Sequence, residues 1–284
     1  EEIKSNSGRF EIVDAGINSE YSDYGGSFFG DKLVFASARD TGGVSKNIFK
    51  WNNQSFTNLY ASKIGLDNNL EAPKRFDNKI NSKFHESTPV FTKDGKTMYF
   101  TRNNFLDGKR GKDSKSVTLL KMYKSTLVDG QWANIAELPF NSDNYSVAHP
   151  ALSLDEKTLY FASDMPGTLG QSDLFKVTIN ENGTYSTPEN LGAKINTEGR
   201  ETFPTISAEN ELYFASDGRP GLGGLDIYVT RLDENQNIGE IQNIGEPVNS
   251  PKDDFSFLID SETRKGFFTS NRDGGKGFDD IYKF

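Results

Sequence analysis

Glu211-Leu212-Tyr213-Phe214-Ala215-Ser216-Asp217-Gly218-Arg219-Pro220-Gly221-Leu222-Gly223-Gly224-Leu225-Asp226-Ile227-Tyr228 is the stretch whose reading decides the fold. It runs from strand formers into a Gly/Pro loop and back into strand formers, and it is not unique. Thr158-Leu159-Tyr160-Phe161-Ala162-Ser163 closing at Asp173-Leu174-Phe175, and Gly266-Phe267-Phe268-Thr269-Ser270 closing at Asp280-Ile281-Tyr282, repeat it. Looser copies are Leu33-Val34-Phe35-Ala36-Ser37 and Met98-Tyr99-Phe100, the latter reaching Tyr123 after an insertion. The equivalent phenylalanines, Phe35, Phe100, Phe161, Phe214 and Phe268, are 65, 61, 53 and 54 residues apart. A period of that size belongs to solenoids and propellers.

A second marker, apolar-Asn-Ser/Thr, keeps phase with the first at Asn18, Asn81, Asn141, Asn196 and Asn249, each 17 to 20 residues before its phenylalanine. Between the markers each unit reads as four strands. In the fourth unit these are Phe203-Pro204-Thr205-Ile206-Ser207, Glu211 to Ser216, Asp226 to Thr230 and a last strand near Ile241-Gln242-Asn243-Ile244. Asp129-Gly130 and Asn182-Gly183 supply tight hairpin turns in two other units. No long segment has a helical period. Four antiparallel strands per repeat make the blade of a β-propeller, so the expected class is all-β with five blades. The last unit ends at its third strand, and Phe10 to Asn18 matches a fourth strand running into the marker. The N-terminal strand is therefore expected to complete the last blade. From Phe49, taken as the closing aromatic of the first unit, to Asn81 there are 32 residues against 21 elsewhere. That excess, placed around 55–70, predicts a rim hairpin, with a sixth blade as the alternative.

Composition narrows the function. The 284 residues carry 32 Lys and Arg against 41 Asp and Glu, a net charge of −9, which argues against a phosphate-tracking nucleic-acid surface. No cysteine is present, so disulfide scaffolds, cysteine zinc sites and thiol nucleophiles are excluded. No run approaches the 18 apolar residues of a membrane helix, and direct membrane insertion is not expected. The chain opens at Glu1-Glu2-Ile3-Lys4 without a leader, and residues 1–284 are read as one propeller domain of a larger multidomain protein.

The repeat resembles the PD repeat of WD-like and TolB-like propellers. Pro89, Lys93-Asp94-Gly95-Lys96 and Met98-Tyr99-Phe100 carry the pattern in the second unit, and Pro204, Leu212-Tyr213-Phe214, Ser216-Asp217 and Asp226-Ile227-Tyr228 carry it in the fourth. The unit lengths and the Ile-Asn-Ser marker are most similar to the propellers of Bacteroidota OmpA-family periplasmic proteins, including PorE-like lipoproteins of the type IX secretion and gliding machinery. That resemblance implies a periplasmic, outer-membrane-associated scaffold. Its peptidoglycan contact would belong to a domain absent from this chain.

Nothing in the sequence assembles a nucleophile, a base and an orienting group, so no catalytic residue and no cofactor are expected. The sequence has two histidines, His85 and His149, and a metal would want further ligands at fixed distance. Asp23, Glu86, Glu201 and Asp254 lie five residues after their marker asparagines, with Ser146 in the third unit. Ring closure would gather them at one mouth of the central channel, with His85, Tyr145, His149 and Arg200 beside them. Such a mouth would attract a cation or a basic partner segment. The alternative is that each carboxylate caps its own turn. A glycan or small-ligand reading would use Tyr21, Tyr24, Phe84, Tyr145 and Phe203 as an aromatic cluster, and a third reading is the noncatalytic propeller of a larger hydrolase. Asp173, Asp226 and Asp280 read as loop-bonding groups. The basic insertion at 109–115 reads as a hairpin tip that could meet an acidic partner. The leading expectation is a non-enzymatic module binding a protein or peptide.

Overall fold

The computed structural model describes residues 2–39, 48–49, 54–82, 84–103, 105–106, 109–110 and 119–284. Five four-stranded antiparallel sheets follow one another along the chain. Blade one is Asp23–Phe29, Lys32–Ser37, Asn58–Lys63 and Lys74–Arg75, and blade two is Glu86–Phe91, Thr97–Asn103, Leu120–Val128 and Gln131–Glu137. Blade three is Val147–Leu152, Thr158–Ser163, Asp173–Thr178 and Glu189–Asn190. Blade four is Glu201–Ile206, Glu211–Ser216, Asp226–Leu232 and Ile238–Asn243. Blade five is Asp254–Ile259, Gly266–Ser270 and Asp280–Lys283, completed by Val13–Asp14 from the opposite end of the chain. The first strands of successive blades pack on one another, and Asp254–Ile259 returns to Asp23–Phe29, so the ring is closed.

The closing strand enters by the register Val13 opposite Lys283 and Asp14 opposite Tyr282, and Ala15 N–H donates to Ile281 O at 3.0 Å. A five-residue helix, Glu2–Asn6, precedes it and has no signal in the hydrophobic pattern. Asn6 Nδ2 donates to Asn243 O at 3.0 Å, which ties this helix to the last strand of blade four.

The core is divided among the seams between blades. Tyr99 and Met122 of blade two face Leu159, Phe161 and Phe175 of blade three, and Phe267 and Ile281 of blade five face Leu33, Phe35 and Tyr60 of blade one. Each of these large side chains contributes about 1.5–3 kcal/mol by leaving water. The repeated phenylalanine and the third-strand aromatic stand opposite one another in every blade, for example Phe214 and Tyr228 with centroids 5.8 Å apart.

The marker asparagine is a backbone clamp. Oδ1 of Asn18, Asn81, Asn141, Asn196 and Asn249 accepts from the N–H of Ile281, Leu59, Met122, Leu174 and Ile227, and Nδ2 donates to the C=O of that same residue. The amide thereby extends the pairing of a third strand beyond the end of its fourth strand, satisfying backbone groups that burial would otherwise strand.

One alignment is corrected. Phe35 pairs with Tyr60, not Phe49, so residues 55–70 contain the third strand itself and no sixth blade. The step from Phe35 to Tyr60 is 25 residues, eleven above the usual 14, and the excess lies between the second and third strands. Blade two carries its insertion in the same place. Each insertion contains a two-residue hairpin, Ile48–Phe49 with Gln54–Ser55 and Phe105–Leu106 with Lys109–Arg110. The remainder of the basic cluster, 111–115, lies outside the described residues.

Candidate functional site

The axial end of the ring is built by the five entries into the innermost strands. Each strand breaks register at the same point, and the residue there has a positive φ: Gly25 at 71°, Thr88 at 41°, His149 at 61°, Phe203 at 50° and Ser256 at 56°. These are β-bulges, which re-aim the following side chain and tighten the twist. Proline follows in three of them, Pro89, Pro150 and Pro204, where no ladder N–H is required. The bulges converge on a space of about 20 Å³ lined by Gly25, Gly26, Thr88, Pro89, His149 and their blade-four and blade-five counterparts. That is room for little more than one water.

Its lining carries an aromatic cluster. His149 stacks on Phe203 at 3.9 Å, Phe203 meets Phe255 at 4.5 Å, and Tyr24 meets both at 6.4 Å. The Tyr24 hydroxyl lies 3.1 Å from His85 Nε2, and Thr57 N–H donates to His85 Nδ1 at 3.3 Å. His149 Nδ1 lies 3.1 Å from Thr88 Oγ1. Tyr24 and Phe203 are thus brought together as the glycan reading expected. Phe84 packs against Phe56, and Tyr145 is turned into the blade-two to blade-three seam, its hydroxyl donating to Phe140 O at 3.4 Å.

The four acids do not form a charged mouth, which corrects the expectation of an exposed ring. Asp23, Glu86, Glu201 and Asp254 are all 0% exposed. Asp23 Oδ2 accepts from Ser19 N–H at 2.6 Å, Glu201 Oε2 from Thr197 N–H at 2.7 Å and Asp254 Oδ2 from Ser250 N–H at 2.6 Å, while Glu86 Oε1 accepts from Ser82 Oγ. Each acid therefore closes the turn that begins at its own marker. In three of the four the buried charge is met by an arginine that sequence reading missed, Arg39 on Asp23 at 2.7 Å, Arg102 on Glu86 at 3.1 Å and Arg272 on Asp254 at 2.8 Å, whereas Glu201 is held by the Thr197 and Ser216 hydroxyls. These arginines also lie over the paired aromatics of their blade at 5.0 to 5.6 Å and donate to Ile17 O, Ile80 O and Val248 O. Burial still dominates at Glu86, which is pushed up to about 7, and raises Asp254.

Blade three shows the same logic by exception. Its strand position equivalent to the acids is Val147, which pairs with Ser163 as Asp23 pairs with Ser37, so Ser146 is displaced by one residue. The arginine is replaced there by Met165, and Val147 and Met165 belong to one apolar cluster. An ion pair and an apolar pair occupy equivalent sites, as expected of a structural device. Arg200 is on the surface with Nε 2.7 Å from Asp217. Asp173, Asp226 and Asp280 accept from the N–H groups of Leu169, Leu222 and Gly277 in their own loops. Gly223 in such a loop presses on the next blade, where a Cβ would stand 2.3 Å from Lys252 O.

Burial lowers His85 to about 4 and His149 to about 3, from an ordinary 6.5. Both are neutral in the folded ring and take up protons below about 6.5 on unfolding. Their stabilisation is present above 6.5 and is lost as pH falls toward 4 and 3. Glu86 runs oppositely, losing stability as pH rises from about 4.5 to 7. The imidazole Cε1–H resonances are expected to keep neutral shifts from pH 7.5 to 5, and His149→Asn to flatten the acid limb of the Tm–pH curve. A histidine titrating near 6.5 contradicts this burial. Among the described residues no group of three or more His, Asp or Glu could hold a metal ion.

No sequence family and no curated protein matches this chain. In three dimensions it is similar to TolB from Acinetobacter baumannii, at 13% identity and TM-score 0.50, covering 89% of this chain and 53% of that one. The fold is a five-bladed β-propeller. The chain spans about half of that TolB. It is also similar to a thermostable family-43 glycoside hydrolase, at 11% identity and TM-score 0.56, covering 95% of this chain and 91% of that one. The GH43 endo-arabinanase from Bacillus licheniformis gives 11%, 0.54, and 95% of both chains. At such identities the likeness is one of fold, and one propeller fold hosts unrelated functions.

Proposed function

We propose that this propeller is a non-enzymatic protein- or peptide-binding scaffold of the periplasm, serving an outer-membrane or peptidoglycan-associated secretion or gliding machine. One observation carries the non-enzymatic part: the axial site is filled by its own aromatics, and its acids are consumed by their own turns. Glycoside hydrolysis needs two carboxylates about 5 to 9.5 Å apart across a bound sugar, and among the described residues no carboxylate lines the axial space. The loops then remain as the binding surface, and the insertions of blades one and two break the ring's equivalence where repeat proteins place recognition. Periplasmic location rests on the sequence resemblance, with wall contact assigned to a domain outside these residues.

The test is a pull-down from periplasmic extract with the domain and with a variant in which 104–118 is replaced by a short Gly-Ser turn. Capture of a defined partner that falls at least tenfold in the variant is the expected result. Coverage of more than nine-tenths of both family-43 hydrolases favours a second reading, a glycan-active or glycan-binding domain. Incubation with arabinan and arabino-oligosaccharides is expected to release no sugar, and measurable turnover would replace the scaffold reading.

A further inference from the structure

The seam between blades one and two opens into a cleft whose floor is the edge of that seam's core. It encloses about 480 Å³, a size suited to a small ligand or a peptide anchor. Its floor is aromatic: Phe29, Phe76 and Trp132 pack on one another with centroids 5.8 to 6.1 Å apart. Its walls carry Lys32, Lys63, Lys74 and Arg75. Strand pairing sets Lys32 directly opposite Lys63 and Lys74 opposite Ala61. Positions 61 and 63 share a face of their strand, so three ammonium groups stand on one face of blade one. Like charges placed directly across a sheet are destabilising. Among the described residues, none of the three lysines has an acid within ion-pair distance. Two acids line the same cleft, and Asp77 is already engaged, its Oδ1 accepting from Lys79 N–H at 2.7 Å and Ile80 N–H at 3.0 Å. Among the described lining residues two acids thus face four cations, a local excess of positive charge in a chain whose net charge is −9.

We infer that this cleft binds an acidic peptide segment bearing one apolar side chain. The apolar group seats on Phe29, Phe76 and Trp132, and flanking carboxylates lie on Lys32, Lys63 and Lys74. The inference rests on the protein-binding reading above and names the chemistry of the partner. Every polar side chain of the described lining is charged, four cations against two acids, so a ligand carrying carboxylates gains Coulomb attraction that a neutral ligand does not, and one hydrophobic anchor matches the floor. Buried aromatic anchors are where binding energy concentrates at an interface.

Trp132 reports occupancy directly. The chain has two tryptophans, so a Trp51→Phe background isolates its fluorescence. The probe is the peptide acetyl-Glu-Asp-Phe-Asp-Glu-amide, and its control is the uncharged acetyl-Gln-Asn-Phe-Asn-Gln-amide. The acidic peptide is expected to shift Trp132 emission saturably, to bind at least tenfold tighter than the control, and to weaken with added salt. The Lys32→Gln/Lys63→Gln/Lys74→Gln variant is expected to lose at least tenfold, with an unchanged or higher Tm because a like-charge pair is relieved. Lys63→Gln alone, expected to lose about threefold, serves if the triple variant melts early. Equal response to both peptides, undiminished binding by the variants, or saturation by oligogalacturonate but not by peptide overturns the inference. A triple variant that still captures the same protein partner removes this cleft and leaves the scaffold reading standing. A wild-type domain that binds the peptide but captures no partner keeps the cleft and weakens that reading.

Discussion

A variant lacking residues 1–16 is expected to melt at least 10 °C below the intact domain, or to be recovered only as aggregate. The deletion removes the fourth strand of blade five and leaves the edge of Asp280–Lys283 open. It also removes Phe10, which meets Phe257 at 5.8 Å and Phe284 at 5.2 Å, together with Ile12 and the buried Ala15. Losing two large apolar side chains costs about 3–6 kcal/mol on area grounds, before the ladder hydrogen bonds are counted. Domains hold only about 5–15 kcal/mol in total, and for a chain of this size 1 kcal/mol moves Tm by about 2–4 °C. An exposed strand edge adds a route to association. Circular-dichroism melts with size-exclusion chromatography decide it, and a truncated domain that stays monomeric within about 2 °C of the parent contradicts the clasp.

Asn249→Ala is expected to destabilise by about 1–3 kcal/mol, the largest single-residue effect foreseen outside the seams. Asn249 is 1% exposed; its Oδ1 accepts from Ile227 N–H at 2.8 Å, and its Nδ2 donates to Ile227 O and to Asn243 Oδ1 at 2.9 Å each. Alanine leaves the buried Ile227 N–H without an acceptor, and that desolvation cost exceeds the net worth of the bond. Asn141→Ala should cost less, since Asn141 is half-buried. Asn237→Ala, in an exposed turn around Asp233, should change stability by no more than about 0.5 kcal/mol. Urea denaturation of the three variants gives the order. Equal effects at Asn249 and Asn237 would show that the marker is a turn residue and not a clamp.

The ring was legible in the sequence because its evidence is periodic. Phe161, Phe214 and Phe268 sit in equivalent copies, and the match of Phe10–Asn18 to a fourth strand announced the closing pair of Val13 and Lys283. What was hidden had no period or imitated one. Phe49 falls 14 residues after Phe35 by coincidence of the insertion, and it masked Tyr60, although the 21-residue step from Tyr60 to Asn81 repeats that from Tyr228 to Asn249. The acids were seen, but their arginines were not, because Arg39, Arg102 and Arg272 stand four, two and four residues after their phenylalanines. A charge read without its partner looks like a binding site. Tyr24 and Phe203 were legible as aromatics near the axis, but not that His149 stacks on Phe203 or that Tyr145 and Phe84 point elsewhere, because the register breaks that aim these side chains depend on backbone φ at residues as unlike as Gly25, Thr88 and Ser256.

Closure of the ring by its own first strand is the claim on which the sealed axis, the loop surface and the blade-one cleft all depend. Because the chain has no cysteine, it can be measured with thiols placed only at Val13 and Lys283. Treatment of the folded Val13→Cys/Lys283→Cys variant with a short bifunctional thiol crosslinker is predicted to give a single intramolecular product in the monomer, with faster migration on a denaturing gel. Crosslinks that form only between molecules, or thiols that stay unbridged while the domain remains folded, would contradict it.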